Sequence, residues 1–177
     1  MQLIERLISA ASRAPSAHNR QPWRFCVVTT GPGKTRLAEA MGRRLRADRA
    51  HDGDGTGVIE ADVRRSYERI TAAPVVVVVC VCLDEMDHYE DSRRSDAERL
   101  MACQSTAMAG ENLLLAAEAE GLGSCWMCAP LFCPEEVREA LALPPQWMPQ
   151  GLVLLGRPAE AGRLRRRKPL AEIMTLR

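Results

Sequence analysis

The sequence predicts a sandwich of helices about one sheet, of the α+β or α/β class, and three observations carry that reading. Val75 to Cys82 is almost wholly β-branched and apolar, the pattern of a strand buried on both faces, which calls for helices on both sides of its sheet. Segments with apolar residues at helical spacing recur before and after it, so helices and strands interleave along the chain. The length of 177 residues matches the roughly 100–200 residues of one domain. No linker divides it, so a single domain over residues 1–177 is expected.

Residues 2–13 read as an amphipathic helix, with Leu3, Ile4, Leu7, Ile8 and Ala11 on one face. It ends before Pro15, because the residue ahead of a proline disfavours the α region. Trp23 to Thr30 reads as a strand that stops at Gly31-Pro32-Gly33, and residues 34–49 as a basic amphipathic helix. His51 to Gly57 holds three glycines and two aspartates and reads as a mobile loop, with Val58 to Ala72 as the next helix.

Beyond the valine strand, Asp84 to Arg94 reads as a polar loop. Ser95 and Glu98 match a capping box, opening a helix that runs to about Glu120 and stops at Gly121. This longest element is apolar almost all round (Leu100, Met101, Ala107, Met108, Leu113 to Ala117), so burial on every side is expected. Ala102, Ser105, Ala109 and Gly110 are small enough for close approach of a second subunit. The pattern alone leaves a dimer and a monomer with a central helix both open. Pro134 opens a short helix through Leu141 at a position proline tolerates. Gln150 to Gly156 is a second buried strand, and Arg157 to Arg177 a basic tail.

Hydrophobic residues make up 46% of the chain and the formal net charge is +1. That balance argues against a nucleic-acid partner, which tends to need a basic excess. The charge is uneven: from Arg163 to Lys168, five of six residues are basic. The longest apolar run, Pro74 to Leu83, has ten residues, and a membrane-spanning helix needs about 20, so no membrane partner is expected. Met1 to Arg13 lacks a secretory pattern. An odd number of cysteines, seven, then points to reduced thiols and a cytoplasmic location.

Cys125-Trp126-Met127-Cys128, with Cys133 after it and Cys103 before it, admits three readings. A zinc site needs four ligands and usually two such pairs; there is no second pair, and His18, His51 and His88 are scattered, so no metal is expected. A redox dithiol is favoured by a helix N-terminus, whereas this pair follows a helix end. The remaining reading makes these cysteines, with Cys80 and Cys82, small buried hydrophobes.

Three segments carry candidate binding chemistry. In Pro15-Ser16-Ala17-His18-Asn19-Arg20-Gln21-Pro22-Trp23, two prolines bracket a loop whose Ser16, Asn19 and Gln21 offer hydroxyl and amide groups to a ligand. In Gly121-Leu122-Gly123-Ser124-Cys125-Trp126, two glycines allow close approach of backbone to a planar ligand. In Arg165-Arg166-Arg167-Lys168-Pro169-Leu170, arginines present forks of donors suited to phosphate. Taken one at a time, these also read as a structural turn, a helix stop and a solvated tail.

Together they resemble the nitroreductase family of flavin enzymes. The first segment is similar to its Pro-Ser-x-x-Asn-x-Gln-Pro-Trp signature, the second to its Gly-Leu-Gly-(Ser/Thr)-x-Trp loop, and the third to its basic phosphate-contacting segment. The resemblance spans about Leu3 to Leu170. Gln104 to Pro130 also looks like the nitroreductase-like domain attached to the ligase that adds glutamate to the deazaflavin coenzyme.

The resemblance implies an α+β fold with a central, mostly antiparallel sheet flanked by helices. It implies a homodimer paired through the long helix, with the tail embracing the partner and two flavin sites at the interface. It implies FMN as cofactor and hydride transfer from NAD(P)H to a small acceptor such as a nitroaromatic, quinone or enamine. The alternatives are a non-catalytic flavin- or deazaflavin-binding protein and a flavin-fragmenting enzyme related to cobalamin synthesis. Carried over position by position, the cofactor contacts are Pro15, Ser16, Ala17, Asn19 and Gln21 (serving the neighbouring subunit's site), Trp126, Met127 and Cys128 beside the ring, and Arg165 and Arg167 at the phosphate. No catalytic side chain is assigned, because the cofactor performs the chemistry. Family members usually have an Arg-Arg/His-Ser-x-Arg segment that also holds the phosphate; none precedes Pro15 here, which leaves three expectations open: a start placed too late, weaker flavin binding, at about 1.5–3 kcal/mol per lost contact, or loss of the flavin.

Overall fold

The computed structural model describes residues 1–160, 162 and 165–177; Arg163, from the basic run, lies outside the described residues. The elements are α1 (Gln2–Ala11), β1 (Trp23–Val28), α2 (Gly31–His51), α3 (Thr56–Ala72), β2 (Val75–Val81), α4 (Ser92–Ala119), β3 (Gly123–Met127), α5 (Pro134–Ala140), β4 (Met148–Gly156) and α6 (Leu170–Ile173). The strands form one sheet in the order β1-β2-β4-β3, antiparallel throughout.

Side-chain alternation divides the core in two. Val76, Val78, Cys80 and Leu152 pack with Leu37 and Met41 of α2 and Val137 of α5. Val77, Val79, Val153 and Leu155 pack on the other face with Leu7 of α1 and Leu113 and Ala117 of α4. β2 and β4 lie at the centre of the sheet, which explains why their sequences are continuously apolar rather than alternating.

The expected α+β sandwich is present, with local corrections. Gly31-Pro32-Gly33 does not end a strand in a loop: Thr30 Oγ1 accepts from Gly33 N at 3.3 Å, and the Pro32 position is the first turn of α2. The glycine-rich stretch 51–57 is a shorter loop than expected: His51 ends α2, Thr56 and Gly57 open α3, and only residues 52–55 lie between the helices. The capping box at Ser95 and Glu98 is absent. The helix starts earlier, where the Asp91 side chain accepts from Arg94 N at 2.9 Å. Ser95 Oγ instead donates to Tyr89 O, and Glu98 accepts from Asp87 N. Gly121 ends α4 as expected, at φ +70, with Leu122 N donating to Ala117 O at 2.9 Å.

The expectation that α4 is buried on every side is also corrected. One face is buried: Ala102, Ser105, Ala109, Gly110, Leu113 and Ala117 turn towards the rest of the same chain. The small residues therefore serve close packing within the subunit. The opposite face carries Leu100, Met108 and Leu115, which are 58%, 40% and 60% exposed.

Candidate active site

The Pro15 loop leaves α1 and turns through a short 3₁₀ segment, Ala17–Asn19. Ser16 Oγ accepts from Gln21 N at 3.0 Å, and Asn19 N donates to Ser16 O. His18, Asn19 and Gln21 all have left-handed backbones, at φ 50, 54 and 50. Non-glycine residues hold that conformation only where their surroundings impose it, and such strain gathers at binding sites. The loop docks on α4: Ala17 N donates to Ser105 Oγ at 3.4 Å, and Ala14 and Trp23 pack on Ala109.

Gly121 to Trp126 is not a loop, as the resemblance implied, but a turn followed by the edge strand β3. From β3 the Trp126 ring is wedged between α4 and β4. A Cβ on Gly110 would lie 2.5 Å from ring atom Cζ3, and one on Gly151 would lie 2.4 Å from Cζ2. Trp126 Nε1 donates to Cys128 Sγ at 3.0 Å. The ring forms part of the wall of a cavity of about 600 Å³, lined also by Cys103, Gln104, Ala107, Glu111 and Leu114 of α4, by Cys128 and Leu131, and by Gln150 of β4. The volume suits a cofactor site, which spans about 300–1,000 Å³.

Of the residues singled out from sequence, Trp126 and Cys128 line this cavity. The Met127 side chain packs into the core on the α2 and α5 side of the sheet. Pro15, Ser16, Ala17, Asn19 and Gln21 do not line the cavity of their own chain. Arg165 and Arg167 are exposed, and Arg167 Nη1 donates to Arg165 O at 3.5 Å. Sequence reasoning missed Gln104, Glu111, Leu131 and Gln150. The signal for two of them was present: Gln104 and Glu111 are polar residues seven apart on an otherwise apolar helix face.

The cysteines separate by environment. Cys80, Cys82 and Cys133 are buried, as small hydrophobes should be, whereas Cys125 and Cys128 are exposed, which corrects that reading for the pair. The two thiols line different cavities, Cys128 the one beside α4 and Cys125 another bounded by Pro74 and Arg157. Burial pushes the Cys80 and Cys133 thiols up to about 12 and raises those of Cys26 and Cys103. Because these folded-state values lie above the unfolded value of about 8.5, their contribution to stability is whole below that pH and is lost as pH rises towards 12. In reducing buffer, the melting temperature should hold steady up to about pH 8.5 and fall above it. A flat profile to about pH 11 would contradict this assignment.

The Nitroreductase family model matches residues 1–157 of the chain. An NADH dehydrogenase of Thermus thermophilus is 32% identical over 199 residues, an alignment covering 99% of this chain and 85% of that protein. A 5,6-dimethylbenzimidazole synthase of Rhodospirillum rubrum is 30% identical over 160 residues, covering 90% of this chain and 72% of that one. An NADPH:FMN oxidoreductase from Vibrio harveyi, solved with NAD⁺, shares the fold with a TM-score of 0.71 at 19% identity, covering 99% of this chain and 67% of that chain. No described helix is long and apolar enough to cross a membrane.

Proposed function

The chain belongs to the nitroreductase family, and from that premise we propose that it is an FMN-dependent oxidoreductase passing hydride from NAD(P)H to a small organic acceptor such as a nitroaromatic, quinone or enamine. The observation that carries this reading is the cavity beside α4. Its wall is mainly apolar and includes the indole of Trp126, while Gln104 and Gln150 add amide groups. Such a lining fits a planar ring with apolar faces and polar edges. When bound, FMN supplies the two-electron chemistry.

The chain's own residues bind, orient and exclude water. Trp126, held between two glycines, gives the cavity a rigid wall. Gln104 and Gln150 would supply amide groups to hold the flavin ring, and Cys128, the residue after β3, would line the same wall. Arg165 and Arg167 pair with the phosphate, where arginine's planar donors are well matched. Ser16, Asn19 and Gln21 complete the site of a second copy, since they lie outside the cavity of their own chain. The exposed apolar face of α4 is the surface along which the two copies meet and shut out water.

The first experiment adds excess FMN to the purified protein, removes free flavin on a desalting column, and records the visible spectrum. About one flavin per chain is expected, followed by FMN-dependent oxidation of NADH or NADPH when a quinone is added. A colourless eluate would sink the reading. Bound flavin without NAD(P)H oxidation would turn it into a binding protein. The similarity to a 5,6-dimethylbenzimidazole synthase favours a second reading, an enzyme that breaks down the flavin itself; oxygen-dependent loss of the flavin absorbance, with no acceptor added, would select it.

A further inference from the structure

Arg20, Asp87 and Glu98 form a chain of polar contacts that the proposed chemistry does not use. Arg20 stands between Asn19 and Gln21 in the strained loop, and its Nη2 donates to Asp87 Oδ1 at 2.5 Å. Arg20 Nε is buried without a partner among the described residues, so Asp87 anchors the guanidinium. Asp87 N in turn donates to Glu98 Oε1 at 3.2 Å. Glu98 belongs to α4 and is only 4% exposed, an unfavourable place for a carboxylate unless its oxygens serve as acceptors. Close by, Cys82 N donates to Pro22 O at 2.8 Å. The link between β2 and α4 is thus fastened to the Pro15 loop at two points.

Magnitudes indicate what the fastening does. The Arg20 and Asp87 side chains are each 38% exposed, and ion pairs so open to water add little to global stability. The loop, however, holds three non-glycine residues in left-handed backbone conformations, which need an external restraint to persist. We infer that Arg20, Asp87 and Glu98 are positioning residues: they hold Ser16, Asn19 and Gln21 in ligand-binding geometry, so that flavin affinity depends on a contact chain ending inside α4. This rests on the reading that the Pro15 loop serves the flavin.

Two measurements on wild type, Asp87→Asn, Glu98→Gln and Asp87→Glu test it. The first is the Kd for FMN from flavin fluorescence, alongside the melting temperature. The second is amide hydrogen exchange over residues 16–22 in flavin-free protein, where the amides of Ala17, Asn19, Arg20 and Gln21 are all hydrogen-bonded. Asp87→Asn, which removes the charge that anchors Arg20, should raise the Kd about tenfold, the order seen when a group orienting a ligand contact is removed; Glu98→Gln keeps an oxygen that accepts from Asp87 N and should have a smaller effect in the same direction. The melting temperature should move by no more than about 2 °C. Exchange over 16–22 should quicken about tenfold in Asp87→Asn and less in Glu98→Gln, and Asp87→Glu should show little of either effect. Unchanged exchange and Kd would overturn the inference, and so would a Kd that changes only in step with the melting temperature. If wild type itself binds no FMN, the functional reading fails; faster exchange in Asp87→Asn would still support the restraint, and unchanged exchange would refute it.

Discussion

Replacing Gly151 with alanine should lower the melting temperature by roughly 5–10 °C and abolish retention of FMN. The added methyl would lie 2.4 Å from Cζ2 and 2.6 Å from Cε2 of Trp126, far inside van der Waals contact. The indole has little room to retreat, because Gly110 of α4 also lies against it, so closely that a Cβ there would stand 2.5 Å from Cζ3. Either the sheet and helix spread or the ring leaves its slot, and overpacking of this kind costs about 1–3 kcal/mol. The ring is also a wall of the cavity, so its displacement reaches the proposed cofactor site as well as the core. Trp126→Phe removes the atoms nearest the new methyl. Combining it with Gly151→Ala should therefore restore part of the lost stability, a coupling that a double-mutant cycle measures. Wild-type melting of Gly151→Ala would show that Trp126 is not confined there.

The second large effect concerns α4. Changing Met108 and Leu115 together to aspartate should leave the subunit folded, because both side chains are exposed, 40% and 60%. The same change should block pairing of two copies, since burying two carboxylates against an apolar surface is strongly unfavourable. Sedimentation should then report a species near the chain mass of 19.6 kDa, where the wild type is expected at twice that value. Flavin retention should fall with it if, as proposed, the Pro15 loop of a second copy completes the site. A double variant that stays dimeric would place the pairing surface elsewhere. A monomer that still holds one flavin per chain would mean that each subunit completes its own site.

Much of the fold was legible in the sequence because the governing signals are local. β2 is a run of valines, and α1 shows its apolar stripe at Leu3 and Leu7. Gly121 marks the end of α4 because φ +70 suits a residue without a Cβ. Errors arose where two local signals competed. Gly31-Pro32-Gly33 has the composition of a turn, yet Thr30 caps it as a helix start. Ser95 and Glu98 have the spacing of a capping box, but Asp91 captures the helix start and releases Glu98 to the link before it.

By itself, the sequence determined the main helices and three of the four strands, the identity of the Pro15 loop, and the presence of Trp126 and Cys128 at the end of a glycine-bearing segment, though not that this segment is the edge strand β3. These follow from periodicity and from residues whose conformational preferences act over a few positions. Tertiary structure alone decided which face of α4 is buried, that Gly110 and Gly151 both lie against one indole, and that Gln104 and Gln150 line one cavity. It also decided that Arg20 reaches Glu98 through Asp87. Those facts depend on contacts between residues tens of positions apart, where sheet register and helix rotation choose neighbours that no local pattern encodes.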